Sequence, residues 1–358
     1  MYHFADDTNL LNINTSPKKL QNDINYDLKC LYKWLLANKI SLNCSKTELI
    51  FFHVPGENPA EKFIFKIKIN GHRIEPSDHI KYLGIYLDSI LSGKYHCEVL
   101  SKKLRRANGM LSKVRHYVPK EELKSIYHSI FSSHMIYGCQ IWGQVSQNVQ
   151  NIQKLQDRAM RTIDFKDKFT NPDPIYVSNN ILKLTDLVKL YNCLLTHQYL
   201  NNELPDCFNN HYFQLHSLYY TQTRNSDLGC LFQPSRRTTR YGLNSISNKS
   251  IVTWNAISKN MKLNLSSLSF YELKKKLTDI FLEFYIMNNH HNDNNNVYNN
   301  VNYRNNRIII NGNNHNHNRN INNNINFQGI QVLRRGGNNY GRLANNWTGQ
   351  GLVSRWDN

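Results

Sequence analysis

The sequence predicts an α+β fold: a small antiparallel sheet with one helix packed on it over residues 1–90, then a mostly helical chain to residue 287. Three observations predict it. Apolar residues fall in short β-rich runs, partly alternating, only before residue 90. An Asn70-Gly71 pair, a strong hairpin signal, closes one such run. From residue 94 onward the apolar spacing becomes three and four, the mark of helices with one buried stripe.

The chain opens on Met1-Tyr2-His3-Phe4-Ala5-Asp6-Asp7-Thr8-Asn9-Leu10-Leu11, which reads as a strand stub, an acidic turn and a second strand. Ser16 fits a helix N-cap and Pro17 the first helical position. Leu20, Ile24, Leu28, Leu31 and Leu35 then make one stripe, widened by Tyr32 and Trp34, and the helix is expected to end near Asn38. Strands are predicted at Thr47–Phe52, Phe63–Ile69 and Ile80–Leu87, the last with Gly84 inside it as a bulge or a point of close backbone approach.

Three helices follow. Leu100, Leu104, Ala107, Leu111 and Val114 stripe the first, which Pro119 ends. The second is predicted from Lys120 to Trp142 and the third over Val149–Ile163. A smaller helical region at 166–287 carries apolar patterns at Ile181–Tyr199 and Ile251–Tyr285, separated by a polar, loop-like stretch at Thr221–Asn248. Asn makes up more than half of residues 288–326, so the tail 288–358 has too little apolar surface to offset the entropy of ordering and is expected to be disordered.

Charge narrows the function. Lys+Arg 44 against Asp+Glu 26 gives +18, most of it on residues 1–287. An enzyme of small acids has no need of that excess; a surface that meets nucleic acid does. No apolar run reaches the roughly 20 residues that span a bilayer, and no membrane partner is expected. The seven Cys are scattered and never in C-x-x-C spacing, which offers neither a zinc cluster nor a disulfide framework and fits a reducing, intracellular compartment.

The residues that could carry chemistry are Asp6 and Asp7. Adjacent carboxylates on a strand-turn-strand can hold a divalent cation, because Mg²⁺ takes oxygen ligands and shares them with substrate phosphates. By themselves they are equally a solvated acidic turn. The cations Lys102, Lys103, Arg105, Arg106, Lys113 and Arg115 run beside the stripe of one helix, either as a solvated face or as a face that follows phosphates. Trp142 and Trp254 are expected in the core.

The order of these blocks resembles one family. Phe4-Ala5-Asp6-Asp7 resembles the Y/F-x-D-D motif of reverse transcriptases. Trp34–Glu48, with Asn38, Leu42, Asn43, Lys46 and Thr47, is similar to the W-x-x-x-N-x-L-x-L-N-x-x-K-T segment of non-LTR (LINE-type) retrotransposon polymerases. Ile80–Asp88 resembles their primer-grip strand, and Lys103–Leu111 and Ile126–Gly143 their thumb helices. Lys154-Leu155-Gln156-Asp157-Arg158-Ala159 and Trp254-Asn255-Ala256-Ile257 resemble their downstream K-L-Q-N-R-A and W-N-x-L blocks.

The resemblance covers about residues 1–285. It implies RNA-directed DNA polymerase ancestry, with Mg²⁺ or Mn²⁺ as cofactor and an RNA template and DNA primer as partners. It also implies a partial palm at 1–90, a thumb at 91–165, a helical C-terminal region at 166–287 and a basic Asn/His-rich tail at 288–358. Asp6 and Asp7 would be metal ligands, and Lys46 would lie near the triphosphate. Tyr82, Leu83 and Gly84 would form the primer grip, and the cations from Lys102 to Arg115 would follow the template–primer backbone.

The family's third metal-binding Asp and its fingers lie upstream of the D-D turn. The expectation is therefore a truncated reverse transcriptase, inactive by itself and not binding the metal stably, whose palm sheet exposes an unpaired edge and apolar residues. The alternative is a non-catalytic module that grips nucleic acid through the basic thumb and tail. A helical interaction protein with coincident motifs, or a fragment with no activity, are the readings opposed to both.

Overall fold

The structure, a computed structural model, describes residues 2–4, 7–205, 208, 213, 228–232, 240–294 and 327–334. The contacts divide into two compact units, one of residues 1–51, 58–77 and 325–358, the other of residues 52–57 and 78–324.

In the first unit β1 (Tyr2–Phe4) pairs antiparallel with β2 (Asp7–Asn14), Phe4 opposite Asp7. Helix α1 (Pro17–Ala37) follows, and its predicted stripe is the buried one: Leu20, Ile24, Leu28, Leu31 and Leu35. They pack with Leu10, with Leu49 and Phe51 of β3 (Glu48–Phe52), and with Phe65, Ile67 and Ile69. Each buried aliphatic or aromatic side chain contributes about 1.5–3 kcal/mol relative to exposure, so this one helix face is the main hold on the sheet.

Polar pairs fix the register of helix on strand. Asn12 Nδ2 donates to Asp27 at 2.7 Å and Asn14 Nδ2 to Asp23 at 2.9 Å. Ser16 stands at the N-cap, but its side chain makes no cap hydrogen bond; Asn14 Oδ1 instead accepts from the Ser16 N–H.

After the short α2 (Pro59–Lys62), the strand predicted at Phe63–Ile69 shrinks to β4 (Lys68–Ile69), paired with β5 (His72–Arg73) across the Asn70-Gly71 turn. Its upstream half bonds to α1 side chains instead of to a ladder. Gln21 Oε1 accepts from the Lys66 N–H, and Asn25 bonds both the Lys66 carbonyl and the Lys68 N–H.

In the second unit β6 (His79–Tyr82) and β7 (Ile85–Asp88) form a hairpin where one strand was predicted. Leu83 (φ 44°) and Gly84 (φ 84°) both adopt left-handed backbone, as a two-residue type I′ turn requires. The sequence reading groups this hairpin with residues 1–90; in the structure its contacts lie with the helices.

Helix α3 (Lys94–Val114) buries Leu100, Leu104, Ala107 and Leu111 as predicted. The single helix expected from Lys120 to Trp142 is broken. α4 (Lys120–Tyr127) passes through one π turn (His128–Ser132) into α5 (Ser133–Ile136), and Gly138 at φ 59° starts a separate α6 (Cys139–Trp142). A Cβ on Gly138 would come within 2.3 Å of Ile85 Cδ1, so the break also lets the hairpin pack closely.

α7 (Ser146–Ile163), α8 (Asp173–Ser178), α9 (Leu184–Leu200), α10 (Arg240–Asn244), α11 (Ile246–Met261) and α12 (Phe270–Asn294) complete the unit. α10 and the start of α11 fall inside the stretch expected to be a loop. Trp142 and Trp254 are buried, as expected. Phe270, inside the apolar pattern at Ile251–Tyr285, is exposed.

Of the tail expected to be disordered, residues 295–326 and 335–358 lie outside the described residues. Phe327–Arg334 forms β8, which pairs antiparallel along the whole of β2, Asp7 opposite Arg334, and stands between β2 and β3 in a sheet of order β1-β2-β8-β3. The sheet was expected to expose an unpaired edge; β2 is paired on both sides, by β1 and by β8. The expected apolar exposure is seen at Phe4, Leu11 and Ile13.

Candidate nucleic-acid interface

Asp7 is half-buried at the head of β2, while Asp6 lies outside the described residues. Lys46 is exposed at the end of a 3-10 turn, Cys44–Lys46. Asn43 builds that turn: its Oδ1 accepts from the Ser45 N–H at 3.1 Å and the Ser45 hydroxyl at 2.6 Å, and its carbonyl accepts from Thr47. β8 contacts this turn as well as β2. Asp7 thus lies on a strand paired with β8, and Lys46 on the turn that β8 contacts.

Among the described residues no group of three His, Cys, Asp or Glu side chains gathers that could hold a metal ion. One turn offering Asp6 and Asp7 supplies too few fixed oxygens for the six that Mg²⁺ prefers, still less for two ions. The described residues by themselves do not make a two-metal centre.

Tyr82, Leu83 and Gly84 occupy the β6–β7 turn in the second unit. The Tyr137 hydroxyl donates to the Leu83 carbonyl at 2.5 Å, and the Tyr86 N–H donates to His96 Nδ1 on α3 at 3.2 Å. His96 is buried, and burial, aided by the nearby Lys103 charge, pushes its pKa down to about 4. The ring is therefore neutral near pH 7 and free to accept that bond.

The cationic residues of α3 divide. Lys102, Lys103, Arg105, Arg106 and Lys113 are exposed on the face opposite the buried stripe. Arg115 is half-buried, its guanidinium 5.2 Å from the centre of the Phe165 ring. The buried Asn108 of α3 donates to the Leu155 carbonyl of α7 at 3.0 Å and holds the two helices side by side.

Between those helices runs an open groove of about 670 Å³, lined by Lys94, Lys102, Arg105 and Lys154 against the single carboxylate of Glu98, with Asn148 and Asn151 on its wall. A groove with this sign of charge concentrates anions. The sequence did not assign Lys154 and Asn151 to this surface, because they come from a helix about fifty residues away, nor Lys94, which begins α3 ahead of the basic run.

Several motif residues hold structure instead. Gln156 is fully buried and bonds the Tyr127 hydroxyl, the Leu182 carbonyl and the Leu184 N–H. Trp254 Nε1 donates to the Gly229 carbonyl, and the Asn255 side chain bonds both the N–H and the carbonyl of Leu231 as a strand neighbour would. No helix among the described residues is long and apolar enough to cross a membrane.

No family profile matches the sequence. No solved structure matches it either. Among curated proteins, a probable RNA-directed DNA polymerase from transposon X-element of Drosophila melanogaster is 26% identical over 135 residues, which is 37% of this chain and 14% of that protein. The chain therefore aligns with only a small part of that relative, and the similarity supports a reverse-transcriptase-like relationship.

Proposed function

We propose that this chain corresponds to the end of the palm, the thumb and the downstream region of a non-LTR retrotransposon reverse transcriptase, and that by itself it grips nucleic acid without synthesising DNA. Residues 1–90 take the palm role, 91–165 the thumb, and 166–287 the region beyond. Support comes from the ordered blocks and from similarity to a transposon polymerase. The observation that carries the binding part is the cation-lined groove between α3 and α7. Lys and Arg contacts to phosphate are independent of sequence and release counterions, so the logarithm of affinity falls linearly with log salt.

The test is a filter-binding titration of the chain with a template–primer duplex from 50 to 300 mM salt. A steep negative slope is expected, and Lys102→Glu with Arg105→Glu reduces both the slope and the affinity. A flat salt response overturns the binding reading.

Primer extension with Mg²⁺ or Mn²⁺ tests the catalytic part. No incorporation is expected from the chain alone, since one turn bearing Asp6 and Asp7 leaves a two-ion centre short of ligands. Incorporation lost in Asp6→Asn would overturn that part.

A further inference from the structure

We infer that the loops following α3 and α7 form a stacking platform for unpaired bases of single-stranded nucleic acid, an inference that rests on the nucleic-acid reading above. Tyr117 and Phe169 are the most exposed large apolar side chains among the described residues, each 85% exposed. They are 52 residues apart in the chain, on loops that the fold ties together. Lys120, just past Tyr117, pairs with Asp164, just before Phe165, and the Arg115 guanidinium lies over the Phe165 ring. Arg161 Nε donates to the Thr170 carbonyl at 2.7 Å, and the Thr170 N–H to the Asp167 carbonyl at 3.1 Å, so the second loop has a held shape.

Phe165 sharpens the argument. It has φ 54° immediately after the α7 C-cap, where the Lys166 N–H reaches back to the Arg161 carbonyl. That is the position at which helices commonly end on glycine, because a side chain there strains the backbone. A bulky aromatic is instead held there, about half exposed, with one ring face against a guanidinium. Strain of this kind clusters at working surfaces.

Charge selects the occupant. The rings alternate with cations: Arg115 beside Tyr117, then Lys166 and Lys168 between Phe165 and Phe169, with the Lys168 ammonium 4.7 Å from the Phe169 ring centre. Against them stand Asp167, Glu121 and Glu122 in the first turn of α4, and Asp164, which is already paired with Lys120. A protein-binding core would be depleted of lysine and its apolar area contiguous. Aromatic faces interleaved with cations are what an unpaired strand requires, since every base has a π face and every linkage a negative charge.

The test uses the full chain, with fluorescence anisotropy on a 20-nucleotide single strand and a 20-base-pair duplex at one salt concentration. Tyr117→Ala with Phe169→Ala is expected to weaken single-strand binding at least tenfold, the size of one lost base stack, and to leave duplex binding and thermal stability unchanged. Phe165→Gly relieves the backbone, so it is expected to hold or raise the melting temperature while lowering single-strand affinity. Unchanged single-strand affinity in these variants, alongside loss in the α3 charge reversals, overturns the platform and leaves the groove standing. Equal losses on single strand and duplex overturn the stacking assignment. No binding of either probe by the unaltered chain removes the nucleic-acid reading and the platform with it.

Discussion

The hydroxyl of Tyr137 closes over the Leu83 carbonyl at 2.5 Å, and its ring lies where a side chain on Gly84 would go. A Cβ at Gly84 would sit 3.1 Å from Tyr137 Cε1, in a backbone conformation that L side chains rarely adopt. Gly84→Ala is expected to cost about 1–2 kcal/mol from the positive φ and the contact together. Tyr137→Phe, which removes an exposed hydrogen bond, costs about 0.5–1 kcal/mol. In Tyr137→Ala the penalty of Gly84→Ala shrinks. A double-mutant cycle by urea denaturation measures the coupling; additive losses would mean that the tyrosine does not shape the turn.

Gln156 predicts a stability loss with no charge change. Gln156→Leu leaves the Leu182 carbonyl and the Tyr127 hydroxyl short of a partner inside the core, while Gln153 still accepts from the Leu184 N–H. The expected cost is about 2 kcal/mol. Thermal melting should show a clear drop for Gln156→Leu and a smaller one for Gln153→Leu, the more exposed of the two.

His96 makes the second unit acid-sensitive. Its folded pKa, about 4, lies below the ordinary 6.5, so between these values the unfolded chain takes up a proton that the folded chain refuses. Above pH 6.5 the residue contributes nothing to the pH dependence; stability is lost as pH falls from 6.5 to 4. His96→Asn, whose Oδ1 can accept from Tyr86, is expected to flatten this part of a stability-against-pH curve. An unchanged slope would assign the acid sensitivity to other groups.

Thiol chemistry follows burial. Burial pushes Cys97, Cys139 and Cys193 up to about 12, and Cys30 is exposed on α1. Brief alkylation of the native chain at pH 8, read by peptide mass spectrometry, is expected to label Cys30 ahead of these three. The thiolate is the reactive form, and burial withholds both it and the access it needs.

The stripes of α1 and α3 were legible in the sequence because both helices bury one continuous face, so spacing alone located them. The hairpin at Leu83-Gly84 was not, since leucine seldom occupies a left-handed turn and its tertiary lock, Tyr137, is 54 residues away. The break at Gly138 was hidden because apolar spacing continues through it. The strand Phe327–Arg334 follows an Asn-rich stretch whose composition argues against order. At the candidate interface, the α3 cations could be read along one helix, but the opposite wall at Lys154 and the contact of Arg115 with Phe165 exist only once α3 and α7 lie side by side.

The pairing of residues 7–14 with residues 327–334 has a consequence for biosynthesis. The strand that completes the first sheet leaves the ribosome long after β2, and the helices from α3 to α12 emerge before it. At about 5–20 residues per second, β2 waits on the order of tens of seconds for its neighbour. During that interval the nascent chain carries an open strand edge, and the second unit can finish folding before the first.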